Sequence, residues 1–106
     1  MKINGVELEF ELFDADTEEL KNRYFQELEK MKTIKSDMPD GTEREKSVYL
    51  CRKVKGLFDH VFGKGMGEEI CGAGNNVLLC MRAYRQLVHE QIRQQNEYEE
   101  ILSSLR

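Results

Sequence analysis

Residues 57–92 read LFDHVFGKGMGEEICGAGNNVLLCMRAYRQLVHEQI, and their reading decides the fold. The stretch holds five of the eight glycines and much of the apolar content. An apolar helix end, Leu57 to Phe62, runs into Gly63-Lys-Gly-Met-Gly67. Gly63 suits the left-handed position that closes a helix. Glu68 to Cys71 is expected to make one short helical turn, and Gly72-Ala-Gly74 breaks it. Asn75 or Asn76 then caps a last helix predicted over 76–104.

That last helix is the longest element. Val77, Tyr84, Gln91, Tyr98 and Leu105 recur every seven residues, with Cys80/Met81, Leu87/Val88, Gln94/Gln95 and Ile101/Leu102 at the companion position. The pattern is a heptad-like seam. It is broad and apolar as far as Ile92, then narrower and more polar. At 1.5 Å per residue the second half is long enough to run past the body of a small domain.

Upstream, Thr42 and Glu45 form a capping box before a helix predicted over 43–62. Val48, Cys51, Val54, Leu57, Phe58, Val61 and Phe62 line its inner face. Gly56 lies inside this helix, where glycine costs about 1 kcal/mol. It is read as the point where another helix comes close. Ser36 to Gly41 contains Pro39-Asp40-Gly41 and reads as a loop. Before it, a helix is predicted over 17–35, with Leu20, Tyr24, Leu28, Met31 and Ile34 as its stripe and Asp16 with Glu19 as a capping box. At the start, Asn4-Gly5 is a two-residue hairpin signal. Val6, Leu8, Phe10 and Leu12 then alternate with Glu7, Glu9 and Glu11, the mark of a half-buried strand with an acidic outer face. The hairpin, over 1–13, has a very short first arm. Its long arm therefore needs helices, or another chain, to lie on.

The expected architecture is mainly α: one three-helix domain over 1–106, with a short N-terminal β-hairpin and a long C-terminal helix. The predicted core is Val54, Leu57, Phe58, Val61, Phe62, Val77, Cys80, Met81, Tyr84, Leu87 and Val88, with Phe10, Leu20, Tyr24 and Leu28 from the N-terminal part.

The composition is 40% hydrophobic and 34% charged, with one Pro. This is too apolar for a disordered chain. No run reaches the roughly 18 apolar residues of a membrane span, and the N-terminus lacks the apolar core of a secretory signal. A cytoplasmic protein with no membrane partner is expected. Sixteen basic and 20 acidic residues leave a net charge of −4, which argues against nucleic acid as a partner. Three cysteines, Cys51, Cys71 and Cys80, form no close ligand pair. They read as reduced, apolar core thiols.

No residue set carries chemistry. The glycine string lacks the Walker pattern and a preceding strand. His60 and His89 have no nucleophile or orienting partner beside them in sequence. Glu7, Glu9, Glu11, Asp14 and Asp16 fit no EF-hand. An enzyme is not expected, and no catalytic residue, metal ligand or cofactor is assigned. What remains is a contact surface: Tyr98, Ile101, Leu102 and Leu105, at the end of the last helix with little domain left to cover them. Self-association or capture of a partner through the termini is predicted.

Two stretches carry a family likeness, MKINGVELEFELFDADT (1–17) and LFDHVFGKGMGEEICGAGNNVLLCMRAYRQLV (57–88). They resemble an uncharacterised family of small proteins encoded by phages and prophages of Firmicute bacteria. The resemblance implies a place among tail genes, in the position of a tail assembly chaperone in the bacterial host cell. Such a protein would bind the tape measure protein, keep it soluble and let tail tube subunits polymerise around it. The resemblance implies no site residues. A minor structural tail component would instead persist in purified particles. A small helical regulatory protein would show a basic stripe, whereas Arg82, Arg85 and Arg93 are interrupted by Glu90 and Glu97.

Overall fold

A computed structural model describes residues 1–105. Arg106, the last residue of the expected domain, lies outside the described residues. The order is β1 (Lys2–Ile3), β2 (Val6–Glu7), α1 (Glu18–Met31), α2 (Glu43–Phe62), α3 (Met66–Cys71) and α4 (Val77–Ser104). The mainly helical architecture, the short hairpin and the long C-terminal helix agree with the sequence reading. The turn expected at 68–71 is a six-residue helix, α3, which makes four α-helices among the described residues in place of three.

β1 and β2 pair antiparallel, Lys2 with Glu7 and Ile3 with Val6. Asn4 and Gly5 have φ of 50° and 81°, the two positive values that a type I′ turn requires. The ladder stops at Glu7, although the alternation runs on. Leu8, Phe10 and Leu12 are buried, while Glu7, Glu9 and Glu11 face out. Residues 8–12 thus form an extended strap laid on the helices and without a second strand beside it.

A turn of 3₁₀-helix, Ala15–Thr17, leads into α1. Asp14 caps it by accepting the Asp16 N–H at 2.9 Å. The predicted Asp16/Glu19 box does not form: Thr17 precedes α1 and makes no side-chain cap bond. α1 also stops at Met31 and not near residue 35. Thr33 and Ile34 donate to carbonyls three residues back, and the Thr33 and Ser36 hydroxyls bond to backbone carbonyls. Such local bonds compete with the α-helical ladder. The Tyr49 hydroxyl holds the resulting turn by donating to Ile34 O at 3.2 Å. The Thr42/Glu45 capping box of α2 is present on both sides. Asn76 caps α4 by accepting from Leu79 N.

The core sits where α2 is sandwiched among α1, α3 and α4, with the strap closing one side. Phe58, Leu57, Val54, Cys51 and Val61 from α2 are buried against Cys80, Ala83 and Leu87 from α4, Tyr24 from α1, and Ile70 and Cys71 from α3. Phe10 inserts edge-on against Tyr24, ring centroids 4.9 Å apart, and also meets Phe62. Leu20, Leu28, Phe62, Val77, Met81 and Tyr84 pack around this centre while only partly buried. Val88, predicted to be core, is half-buried and lies outside the cluster, because its turn of α4 is presented by Ala83 and Leu87.

The close approach assigned to Gly56 lies elsewhere. A Cβ at Gly56 would meet nothing within 4 Å, whereas one at Gly67 would lie 2.4 Å from Lys55 O. Gly67 is where α3 crosses the backbone of α2, and its N–H donates to Asp59 Oδ1 at 2.7 Å. Gly67→Ala is therefore expected to destabilise the fold by about 2 kcal/mol or more, since the clash is with backbone. Gly56→Ala should instead stabilise it by up to about 1 kcal/mol, by removing a helix-interior glycine. Urea denaturation of the two variants would read the opposite signs.

Candidate protein-contact surface

α4 is about 42 Å long at 1.5 Å per residue, and the molecule extends 56 Å along its longest axis. The radius of gyration is 15.3 Å, against about 13 Å for a compact domain of this size. The excess lies in the last turns of α4. Its final buried residue is Gln94, Gln95 is half-buried, and residues 96–105 are all exposed.

Gln94 marks the point of departure because of what it holds. Its side-chain Oε1 accepts the Leu12 N–H at 2.9 Å, and its Nε2 donates to Phe10 O. One amide thus offers the strap the acceptor and donor that a neighbouring strand would have offered. The bonds are buried, and Gln94 itself is 8% exposed. On the neighbouring turn, Gln91 Oε1 accepts from the Tyr24 hydroxyl. Burial pushes that hydroxyl's pKa well above its ordinary value. Arg93 bonds Glu90 and Glu97 on either side, and its guanidinium holds the Glu90 carboxyl below its ordinary range.

Beyond this clamp, Phe13 and Tyr98 stack with centroids 4.3 Å apart and planes within 6°. Lys21 Nζ sits 5.1 Å from the Phe13 ring centroid. Beside the pair, Gln94 and Ile101 join Glu11 and Asp14 to line an open cleft of about 470 Å³. Of the four residues assigned from sequence, Tyr98, Ile101 and Leu102 fall on this face of α4, and Leu105 is the residue that closes it. Tyr98 is 46% exposed and shares its ring with Phe13, while Ile101, Leu102 and Leu105 are 56%, 50% and 67% exposed and uncovered. Phe13, itself 43% exposed, was missed in the sequence. Its signal was the end of the alternation, where a large apolar residue follows inward-facing Leu12. Gln94 was assigned to the polar seam without its role. A polar residue on a core-facing stripe, paired with a strand lacking a second arm, was the available cue.

The other candidates are absorbed by the fold. Cys51, Cys71 and Cys80 are free and buried, and the thiols neighbour one another where α2, α3 and α4 meet. Burial pushes Cys51 up to about 11 and raises Cys71 and Cys80 as well, which disfavours the thiolate needed for nucleophilic or metal chemistry. Among the described residues, no three His, Cys, Asp or Glu side chains are placed to hold a metal ion. His60 pairs with the buried Glu27 carboxylate, which Lys30 also contacts. His89 is exposed. In the glycine string, the Gly67 N–H is already taken by Asp59. Among the described residues, no helix is long and apolar enough to cross a membrane.

These contacts define a small helical protein whose last helix carries an exposed apolar stripe. The chain belongs to the family of unknown function DUF6673, whose model matches residues 4–105. No curated protein and no solved structure gives a significant match.

Two outcomes follow from these contacts. Gln94→Ala leaves the Leu12 N–H and Phe10 carbonyl buried without partners. At about 1–3 kcal/mol for each such group, a loss of about 2–6 kcal/mol is expected in chemical denaturation. The thiols set a pH limit. Unfolded Cys51 releases its proton near 9.0 and folded Cys51 only near 11. Between those values the unfolded chain binds fewer protons, so stability present below pH 9 is lost as pH rises through 11. The thermal midpoint should fall over this window, and Cys51→Ala should make the decline shallower.

Proposed function

We propose that the protein is a phage or prophage tail assembly chaperone-like factor. In this reading it binds the tape measure protein, holds it soluble, and releases it as tail tube subunits assemble. The observation that carries the reading is the uncovered stripe of Ile101, Leu102 and Leu105, continued by the Phe13–Tyr98 pair. Apolar side chains left clustered on a surface mark contact sites. An amphipathic helix that offers residues at i, i+3, i+4 and i+7 matches the spacing by which helices are held in grooves or against other helices. The acidic residues Glu97, Glu99 and Glu100 flank the stripe and keep it in solution while a long apolar helix is shielded. The resemblance of residues 1–17 and 57–88 to small phage and prophage proteins supplies the class of partner. The role proposed is binding, without catalysis, metal or cofactor.

Co-expression with the tape measure protein of the same genome would test it. The tape measure protein should stay soluble and co-purify. An Ile101→Gln/Leu105→Gln variant, changed only at exposed positions, should keep its helical circular dichroism and lose at least about tenfold in affinity, the scale of two lost apolar anchors. Unchanged capture by that variant, or a tape measure protein equally soluble alone, would overturn the reading. Presence of the protein in purified virions would transfer it to the structural tail components.

A further inference from the structure

We infer that, in the absence of its partner, the protein covers its own α4 end by pairing with the same segment of a second copy, antiparallel, about a two-fold axis near Ile101 and Leu102. The inference rests on the reading of this stripe as a contact surface, and adds what occupies it in the free protein.

The direction of the stripe is the main constraint. Cys80, Ala83, Leu87 and Gln94 are the buried residues of α4. At 3.6 residues per turn, Tyr98 and Ile101 fall on the same line of the helix as these four, and Leu105, the residue that closes α4, follows them. The exposed stripe therefore faces the side on which the protein's own body lies. A helix laid along it and running parallel to α4 would be driven upstream into that body. A helix running antiparallel meets the body only with its C-terminal end, and its own upstream body lies away at the far side. The exposed end, residues 96–104, is about 14 Å long at 1.5 Å per residue. A second copy offers an exposed segment of that same length.

The side chains match in that orientation. Pairing Ile101 with Leu102 of the other copy sets Leu105 against Tyr98. Leu105 then lands on the Phe13–Tyr98 stack and its cleft of about 470 Å³. All four apolar residues of the stripe are used, and the contact is self-complementary, as a two-fold interface must be. The charges also agree. The chain is acidic overall, and a parallel in-register pair would bring Glu97 and Glu99 level with their counterparts. The antiparallel pair sets the two copies of Glu97 nine residues apart along the axis, roughly 14 Å, beyond the screening length at physiological salt. Glu97 comes within two residues of Ser104 along the axis, about 3 Å, on the same side of the contact, and Arg93 already holds Glu97 at 2.7 Å within each copy. The stripe is short, so the dimer belongs with small, reversible interfaces.

The full chain, studied alone by sedimentation across a dilution series, should move from twice the chain mass to the chain mass. Added salt should favour the dimer, because an apolar contact joins two acidic copies. Ile101→Gln/Leu105→Gln should sediment as a monomer with unchanged circular dichroism. Orientation is read by disulfide trapping against the buried native thiols: Glu97→Cys mixed with Ser104→Cys should give a cross-linked heterodimer, and Glu97→Cys alone none. A monomer at every concentration, a dimer that survives the double substitution, or a mixed pair that fails to cross-link would each overturn the proposal. The dimer is measured without the tape measure protein, so its absence leaves partner capture standing, and failed capture leaves the dimer standing.

Discussion

The side-chain amide of Gln94 substitutes for a missing β-strand, and the shape of the molecule depends on it. A buried backbone must have its N–H and C=O groups bonded. The hairpin ladder runs only as far as Glu7, with two further bonds between Met1 and Leu8: Leu8 N donates to Met1 O, and the Met1 amino group donates to Leu8 O. Past that point, Leu8, Phe10 and Leu12 still have to face the core, and Phe10 has to reach Tyr24 and Phe62. Gln94 makes this affordable by bonding Leu12 and Phe10 from a helix. Because the amide is reached from α4, the same contact sets the height at which α4 leaves the body. The apolar stripe begins one turn later.

Local rules made most of the fold legible. Thr42 with Glu45, Asn76 before α4, and Asn4-Gly5 each act through bonds to residues close in sequence, and each is formed as expected. The spacing of Val54, Leu57, Phe58 and Val61 sufficed to place α2. What escaped was set by distant neighbours. Gly56 and Gly67 look alike in the chain, and only the crossing of α3 over Lys55 separates them. Helix α1 has apolar spacing as far as Ile34, but the turn after Met31 is held by Tyr49, fifteen residues away. Gln94 reads as one more polar residue in HEQIRQQNEYEE until the strap lies beside it. The contact stripe itself was legible, because Tyr98, Ile101, Leu102 and Leu105 keep helical spacing beyond the last core-facing turn of α4. Its partner within the chain, Phe13, was not.

Several residues with reactive side chains are committed to packing. The three thiols sit at 0–1% exposure, where sulfur behaves as a small apolar group. Asp59 is spent on the Gly67 N–H, and Lys30 compensates Glu27, which His60 also contacts and which would otherwise be a buried lone carboxylate. The apolar stripe of α4 is the exception, since the fold makes little use of it. Side chains that contribute little to stability and remain grouped on one face are the ones a partner can use.

The clamp at Gln94 also bears on how the chain is made. The residues it joins are 82 apart, so the strap emerges from the ribosome long before the helix that holds it. At about 5–20 residues per second, the delay is roughly 4–16 seconds. Through that interval Leu8, Phe10 and Leu12 lack their α4 support, and an apolar strand with free backbone groups is the kind of segment that pairs wrongly. The alternating glutamates now have a second meaning. Glu7, Glu9 and Glu11 sit between the apolar residues of the nascent strap, and their charge opposes its stacking against other chains until α4 arrives.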